Sequence, residues 1–149
     1  MKGPFPVAGE DWQDTLRTYL VTIWETTRRY PGLGAYMINQ PGLGVTSERL
    51  QAGVAFFEDA GFPPAQARLA WSFATTYIHG RISVDAHLGH KPDAPHLDGL
   101  KARDYVEFGV GAVLAGLEAI LDGAAPALVG AGTSSSTRAG TRSRKRKDG

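Results

Sequence analysis

The chain contains no cysteine, which excludes disulfides, a thiolate nucleophile and Cys-ligated zinc or iron–sulfur centres. It also lacks an apolar run of the roughly 20 residues needed to cross a bilayer. The longest apolar stretch, Phe108 to Ile120, is broken only by Glu118 and reads as a buried helix. Met1 to Gly9 holds one lysine and two prolines and no secretory apolar core, so a cytoplasmic protein is expected. Catalytic signatures are missing too: no Gly-x-Ser-x-Gly, no His-Glu-x-x-His and no phosphate loop ending in Gly-Lys-Ser or Gly-Lys-Thr. The glycines at 32, 34, 42 and 44 stand in Pro-Gly-Leu-Gly units without a preceding strand, so they are turns and not a dinucleotide loop. No enzyme and no cofactor are expected.

Strong charge of one sign is also missing overall, since the formal net charge is +1, but the balance is uneven along the chain. Residues 1–123 carry 10 basic and 14 acidic side chains, a balance of −4, whereas residues 124–149 carry 6 and 1, a balance of +5. An acidic body has no general attraction for a phosphate backbone, so nucleic acid could be held only weakly, through the basic tail.

What is present is helical periodicity. Over 11–30, Trp12, Leu16, Tyr19, Leu20, Ile23, Trp24 and Tyr30 keep the three-and-four spacing of one helix face, and Pro31-Gly32 ends it. A short segment follows over 33–39. Thr46 or Ser47 then caps a helix running to about Ala60, with Gly61 as its closing residue. Pro63-Pro64 opens a third helix to about Leu88, roughly 35 Å long. Residues 89–99 are a loop, and a last helix covers about 100–122. Its Gly109, Gly111, Ala112, Ala115 and Gly116 are poor or small helix residues, so a partner helix is expected to approach closely there. The expectation is all-α, a helical bundle, in three parts: an extension over 1–8, a folded domain over 9–123, and a disordered basic tail over 124–149.

Particular residues resemble the C-terminal regulatory domain of the TetR family of transcription regulators. They are Asp11-Trp12 opening a helix that ends at Tyr30-Pro31, a helix ending in Ala60-Gly61-Phe62, Tyr77-Ile-His-Gly80 midway along the long helix, and Glu107-Phe-Gly-Val110 followed by Leu114-Ala-Gly-Leu117. The chain departs from the family at Tyr30, where a histidine is frequent, and at Gly111 and Ala115, where acids are frequent. The family's N-terminal helix-turn-helix has no counterpart over these residues, so the chain is expected to be a truncated regulator. The resemblance implies an effector cavity between the helices and a dimer through the last two helices. The alternative is a stand-alone helical small-molecule binder, or an inactive heterodimer partner of a full-length regulator.

For the cavity, Trp24, Phe56, Phe57, Trp71, Phe73 and Tyr77 come from the first three long helices and as a set suit an apolar or aromatic effector, although ordinary core packing is the readier explanation of any one of them. His79 and Arg81 are the polar candidates, able to meet one hydrogen-bonding or acidic group on the ligand. For a homodimer, the candidates are Phe108, Gly109, Ala112, Val113, Gly116, Leu117 and Ile120. His87, His90 and His96 with Asp93 and Asp98 match no established ligand spacing, and no metal is expected.

Overall fold

The computed structural model describes residues 11–30, 32–34, 36, 47–88 and 99–124. The N-terminal extension, the loop carrying His90, Asp93, His96 and Asp98, and the basic tail beyond Ala124 lie outside the described residues. Within them the fold is all-α, built from α1 (Trp12–Arg29), α2 (Ser47–Asp59), α3 (Pro64–Leu88) and α4 (Ala102–Leu121). No helix among the described residues is long and apolar enough to cross a membrane.

The helix ends follow local chemistry. The Asp11 carboxylate accepts the Asp14 amide at 2.9 Å, satisfying one free donor of the first turn of α1. At α4 the Asp104 carboxylate accepts from the Lys101 amide at 2.7 Å. Two glycines with positive φ close helices in the same way. Past Gly61 (φ 101°) the Phe62 amide bonds the Phe57 carbonyl, and past Gly123 (φ 89°) the Ala124 amide bonds the Ala119 carbonyl. Both are left-handed caps that a side chain would strain. After Tyr30, the Tyr36 amide reaches the Gly32 carbonyl, so a helical turn does follow α1.

The long helix α3 is the axis of the bundle: it packs against α1, α2 and α4, and α1 also packs against α4. Its inner side is mostly small, with Ala67, Ala70 and Ala74 interspersed with Trp71, Ile78 and Ile82, all buried. From α1 come Trp12, Leu16, Leu20 and Trp24, a strict four-residue stripe, and from α4 come Ala102, Val106, Val110, Val113, Leu114 and Leu117. Where α1 begins, Trp12, Phe56, Phe57 and Phe62 meet edge to face with ring centres 5.2–6.1 Å apart.

Two glycines let helices interlock. A Cβ at Gly53 on α2 would overlap the ring of Trp71, and a Cβ at Gly109 on α4 would overlap the ring and hydroxyl of Tyr77. In both cases an aromatic side chain of α3 fills the space a side chain would take.

Candidate functional site

Among the described residues, two places in the bundle carry chemistry beyond packing. The first joins the C-terminal half of α1 to α3 and the start of α4. Trp24 is 1% exposed, and its indole Nε1 donates to Asp85 Oδ2 at 2.7 Å. Asp85 Oδ1 accepts from Arg81 Nη2, one helical turn earlier. The Arg81 guanidinium lies 5.5 Å from the centre of the Tyr105 ring, and Arg28 lies 4.3 Å from the centre of the Trp24 ring. With their side chains only 14% and 11% exposed, Arg81 and Asp85 form a nearly buried ion pair. One turn before Arg81, Tyr77 crosses onto α4 and its hydroxyl donates to the Tyr105 carbonyl at 3.2 Å, with the Val106 carbonyl at 3.5 Å. Burial pushes the Tyr77 phenol above its ordinary pKa, nearby Arg81 opposes that and Asp85 adds to it, so the hydroxyl keeps its proton and remains a donor.

The sequence offered a signal for Asp85 that periodicity alone does not weigh. Ala74, Ile78, Ile82 and Asp85 continue one stripe, so the acid falls on the core side of α3, where a carboxylate needs partners. Its partner on α1 is 61 positions away and carries no local signature.

The second place is an outer face. On α3, Leu69, Phe73 and Val84 are exposed, and on α4 Phe108 is 80% exposed. Between them lie Ser72, Thr76 and Gly80 on α3, and Ala112, Ala115, Gly116 and Ala119 on α4, all exposed. Cβ positions on Gly80 and Gly116 meet nothing within 4 Å. These two stripes flank the Tyr77–Gly109 contact at steps of three and four residues, so they run side by side as one face. None of these residues is charged. The contrast with the α1 side of α4 is sharp: there Arg17 pairs with Glu107 at 3.0 Å, Arg103 with Glu25 at 3.2 Å and with Glu107 at 3.5 Å, and Gln13 bonds Glu118.

The aromatic set expected around one cavity is spread over the bundle. Phe56 and Phe57 belong to the edge-to-face cluster with Trp12, whereas Trp24 sits twelve residues along α1, about 18 Å away. Trp71 is buried between Gly53 and Tyr19, whose ring centre is 5.9 Å away. Phe73 points outward, 54% exposed, because its position is about a third of a turn around α3 from the core stripe, toward the uncharged face. Of the whole set, Trp24, Tyr77 and Arg81 come together, joined by Asp85 and Tyr105. His79 is partly buried on the side of α3 nearer α2, and burial, reinforced by the Arg49 charge, lowers its pKa.

The seven residues expected at a dimer interface divide. Phe108, Ala112 and Gly116 lie on the outer face. Val113 and Leu117 are buried in the bundle's own core, and Ile120 packs against its edge. Gly109 is covered within the chain by Tyr77, which is the close approach that its missing side chain permits. Of the histidine and aspartate set, His87 lies in the last turn of α3 and its Nδ1 is 2.9 Å from the Ser83 carbonyl. No group of three metal-binding side chains occurs among the described residues.

No family model matches this chain, and neither a curated protein nor a solved structure is detectably similar to it.

Proposed function

We propose that this chain is the effector-binding and dimerisation domain of a TetR-like transcription regulator. The observation that carries the reading is the uncharged two-helix face of α3 and α4. In a chain with 21% charged residues, an outward face built from Leu69, Phe73, Gly80 and Val84 on α3 and Phe108, Ala112, Ala115 and Ala119 on α4 without one charge is what the centre of a protein interface requires. Its dimensions also fit. Leu69–Val84 extends about 24 Å along α3 and Phe108–Ala119 about 18 Å along α4, and two adjacent helices are about 20 Å across, a footprint of roughly 400 Å² that would form the core of a standard interface of roughly 800 Å² per partner. A second copy presents the same face, and two pairs of helices packed about a twofold axis make a four-helix interface. The small residues Gly80, Ala112, Ala115 and Gly116 would let the two backbones come close, with Phe73 and Phe108 filling the space beside them.

The effector half of the proposal rests on the cluster around Arg81. It ties α1 to α3 and α4, and Tyr77 and Arg81 sit directly behind the outer face. A small molecule bound among them would bias the crossing of α3 on α4 and hence the geometry of the dimer, which is how one site acts on another in this kind of regulator.

Sedimentation at micromolar concentration tests the dimer. A species of about 32 kDa, twice the 15.9 kDa chain, is expected, and a folded protein that stays monomeric would remove the basis of the reading.

A further inference from the structure

Arg81 presents a donor that the protein does not use. Nη2 is paired with Asp85, but Nε lies wholly beneath the surface and has no hydrogen-bond partner among the described residues. A guanidinium N–H buried without an acceptor is destabilising, and folded proteins retain few of them. Asp85 does not close the fork, because its second oxygen accepts from the Trp24 indole at 2.7 Å. Turning Asp85 to serve Nε would strand the buried indole N–H in exchange.

Resting on the ligand-binding reading above, we infer that Arg81 Nε is the polar anchor of the effector and that it takes an uncharged carbonyl oxygen, of a ketone, lactone or amide borne on an apolar body. The sequence alone leaves an acid and a neutral acceptor equally open, and the ion pair decides between them. The charge of Arg81 is already balanced by Asp85. A ligand carboxylate would have to enter a nearly dry site beside a second carboxylate. A carbonyl oxygen accepts the same hydrogen bond and brings no charge. The Tyr105 ring faces the guanidinium, and Trp24 and Tyr77 flank the Arg81–Asp85 pair, supplying aromatic surface for the apolar body. Because Nε is covered, the ligand enters by parting side chains at this end of the bundle, so the bound form is a rearranged site and not a standing cleft.

Three probes of one shape separate the possibilities on the full chain: 2-acetylnaphthalene, 2-naphthoic acid and 2-ethylnaphthalene, with 2-decanone, decanoic acid and decane as a linear set. Binding is followed by tryptophan fluorescence. Arginine Nε–Hε resonances of 15N-labelled protein are followed in parallel, the Arg81 signal being identified by its loss in Arg81→Lys. A ketone should bind at least about tenfold more tightly than its acid and hydrocarbon counterparts, the worth of one good hydrogen bond to a charged donor, and should move the Arg81 resonance. Asp85→Asn removes the counter-charge while keeping an acceptor for Trp24, and should reverse the preference toward the acid. An acid or hydrocarbon bound as tightly as the ketone, or a bound ketone that leaves the Arg81 resonance in place, overturns the inference while leaving the domain a ligand binder. If none of the six binds up to its solubility limit, the effector-binding reading falls with it. The resonance test uses wild-type protein and so stands even if Asp85→Asn does not fold.

Discussion

Phe108→Ala isolates the association of the outer face from the stability of the bundle. With Phe108 80% exposed and absent from the core cluster, its ring contributes to the folded protomer little beyond helix propensity, which alanine improves. A phenylalanine presents roughly 200 Å², so about 160 Å² of this ring faces outward in the single chain. Burying that surface completely against a second copy would contribute up to about 4 kcal/mol at 25 cal/mol per Å², and the partial burial usual at an interface brings it nearer 2 kcal/mol. Twofold symmetry counts the residue twice, so losing both rings, less the methyl groups that remain, should weaken the dimer by about 2–4 kcal/mol. That corresponds to a roughly 30- to 1000-fold higher dissociation constant. Sedimentation equilibrium over a hundredfold range of concentration reads this shift. Circular dichroism on the dilute monomer should show the helical content unchanged. The reasoning is refuted if the variant dimerises within threefold of wild type, or if it loses helix as a monomer, since the latter would mean that the ring belongs to the fold.

The same monomeric background allows the glycines to be separated. Gly80→Ala should stabilise by about 0.5–1 kcal/mol, because its Cβ meets nothing and helix propensity improves, whereas Gly53→Ala should destabilise by about 1–3 kcal/mol, because the same gain is outweighed by overlap with the buried Trp71 ring; urea midpoints measure both, and equal effects would contradict the interlocking of α2 and α3. Asp85→Ala leaves the Arg81 charge and the Trp24 indole unpaired and should cost about 3–5 kcal/mol, while Arg81→Met with Asp85→Leu removes both charges and should cost much less; thermal unfolding of the two variants decides, and a double variant as unstable as the single one would show that the pair is not the origin of the loss. His79 has a folded-state pKa below its unfolded value, so the unfolded chain binds the proton more readily and stability should fall as pH drops below about 6.5. His79→Gln should flatten the difference between urea midpoints at pH 7.5 and pH 5.5, and an unchanged difference would assign that slope to other groups.

The helices were legible in the sequence because their ends are written locally. Asp11, Gly61 and Pro63-Pro64 each carry a local start or stop signal, and the four-residue stripe of α1 needs no tertiary information. The site was less legible because its parts are joined across the bundle. The small residues of α4 were expected to meet a partner helix as one set, yet they fall into two rows separated by a small rotation about the axis. Gly109 turns inward to receive Tyr77, while Ala112, Ala115 and Gly116 turn outward. Spacing of three and four residues does not distinguish these rows until the position of α3 is known. Trp24 and Phe56 likewise share a composition signal but occupy opposite stretches of the core, because the antiparallel course of the helices, which no single periodicity contains, decides which aromatics meet.

That geometry gives α3 a double role. Tyr77 and Arg81 are one turn apart on the side that grips α4, and Phe73, Gly80 and Val84 are their neighbours on the outer side of the same helix. Helix backbones transmit displacement without bending much over a turn or two, so a shift that moves the Arg81 side chain relative to Tyr105 must either break the Tyr77 hydrogen bond or carry the outer stripe with it. The Tyr77 hydroxyl is held in the notch of Gly109, where it cannot slide along α4 without meeting the Cβ atoms of neighbouring turns. The contact therefore fixes one register of α3 on α4, and a displacement of either helix must first release the Tyr77 hydroxyl.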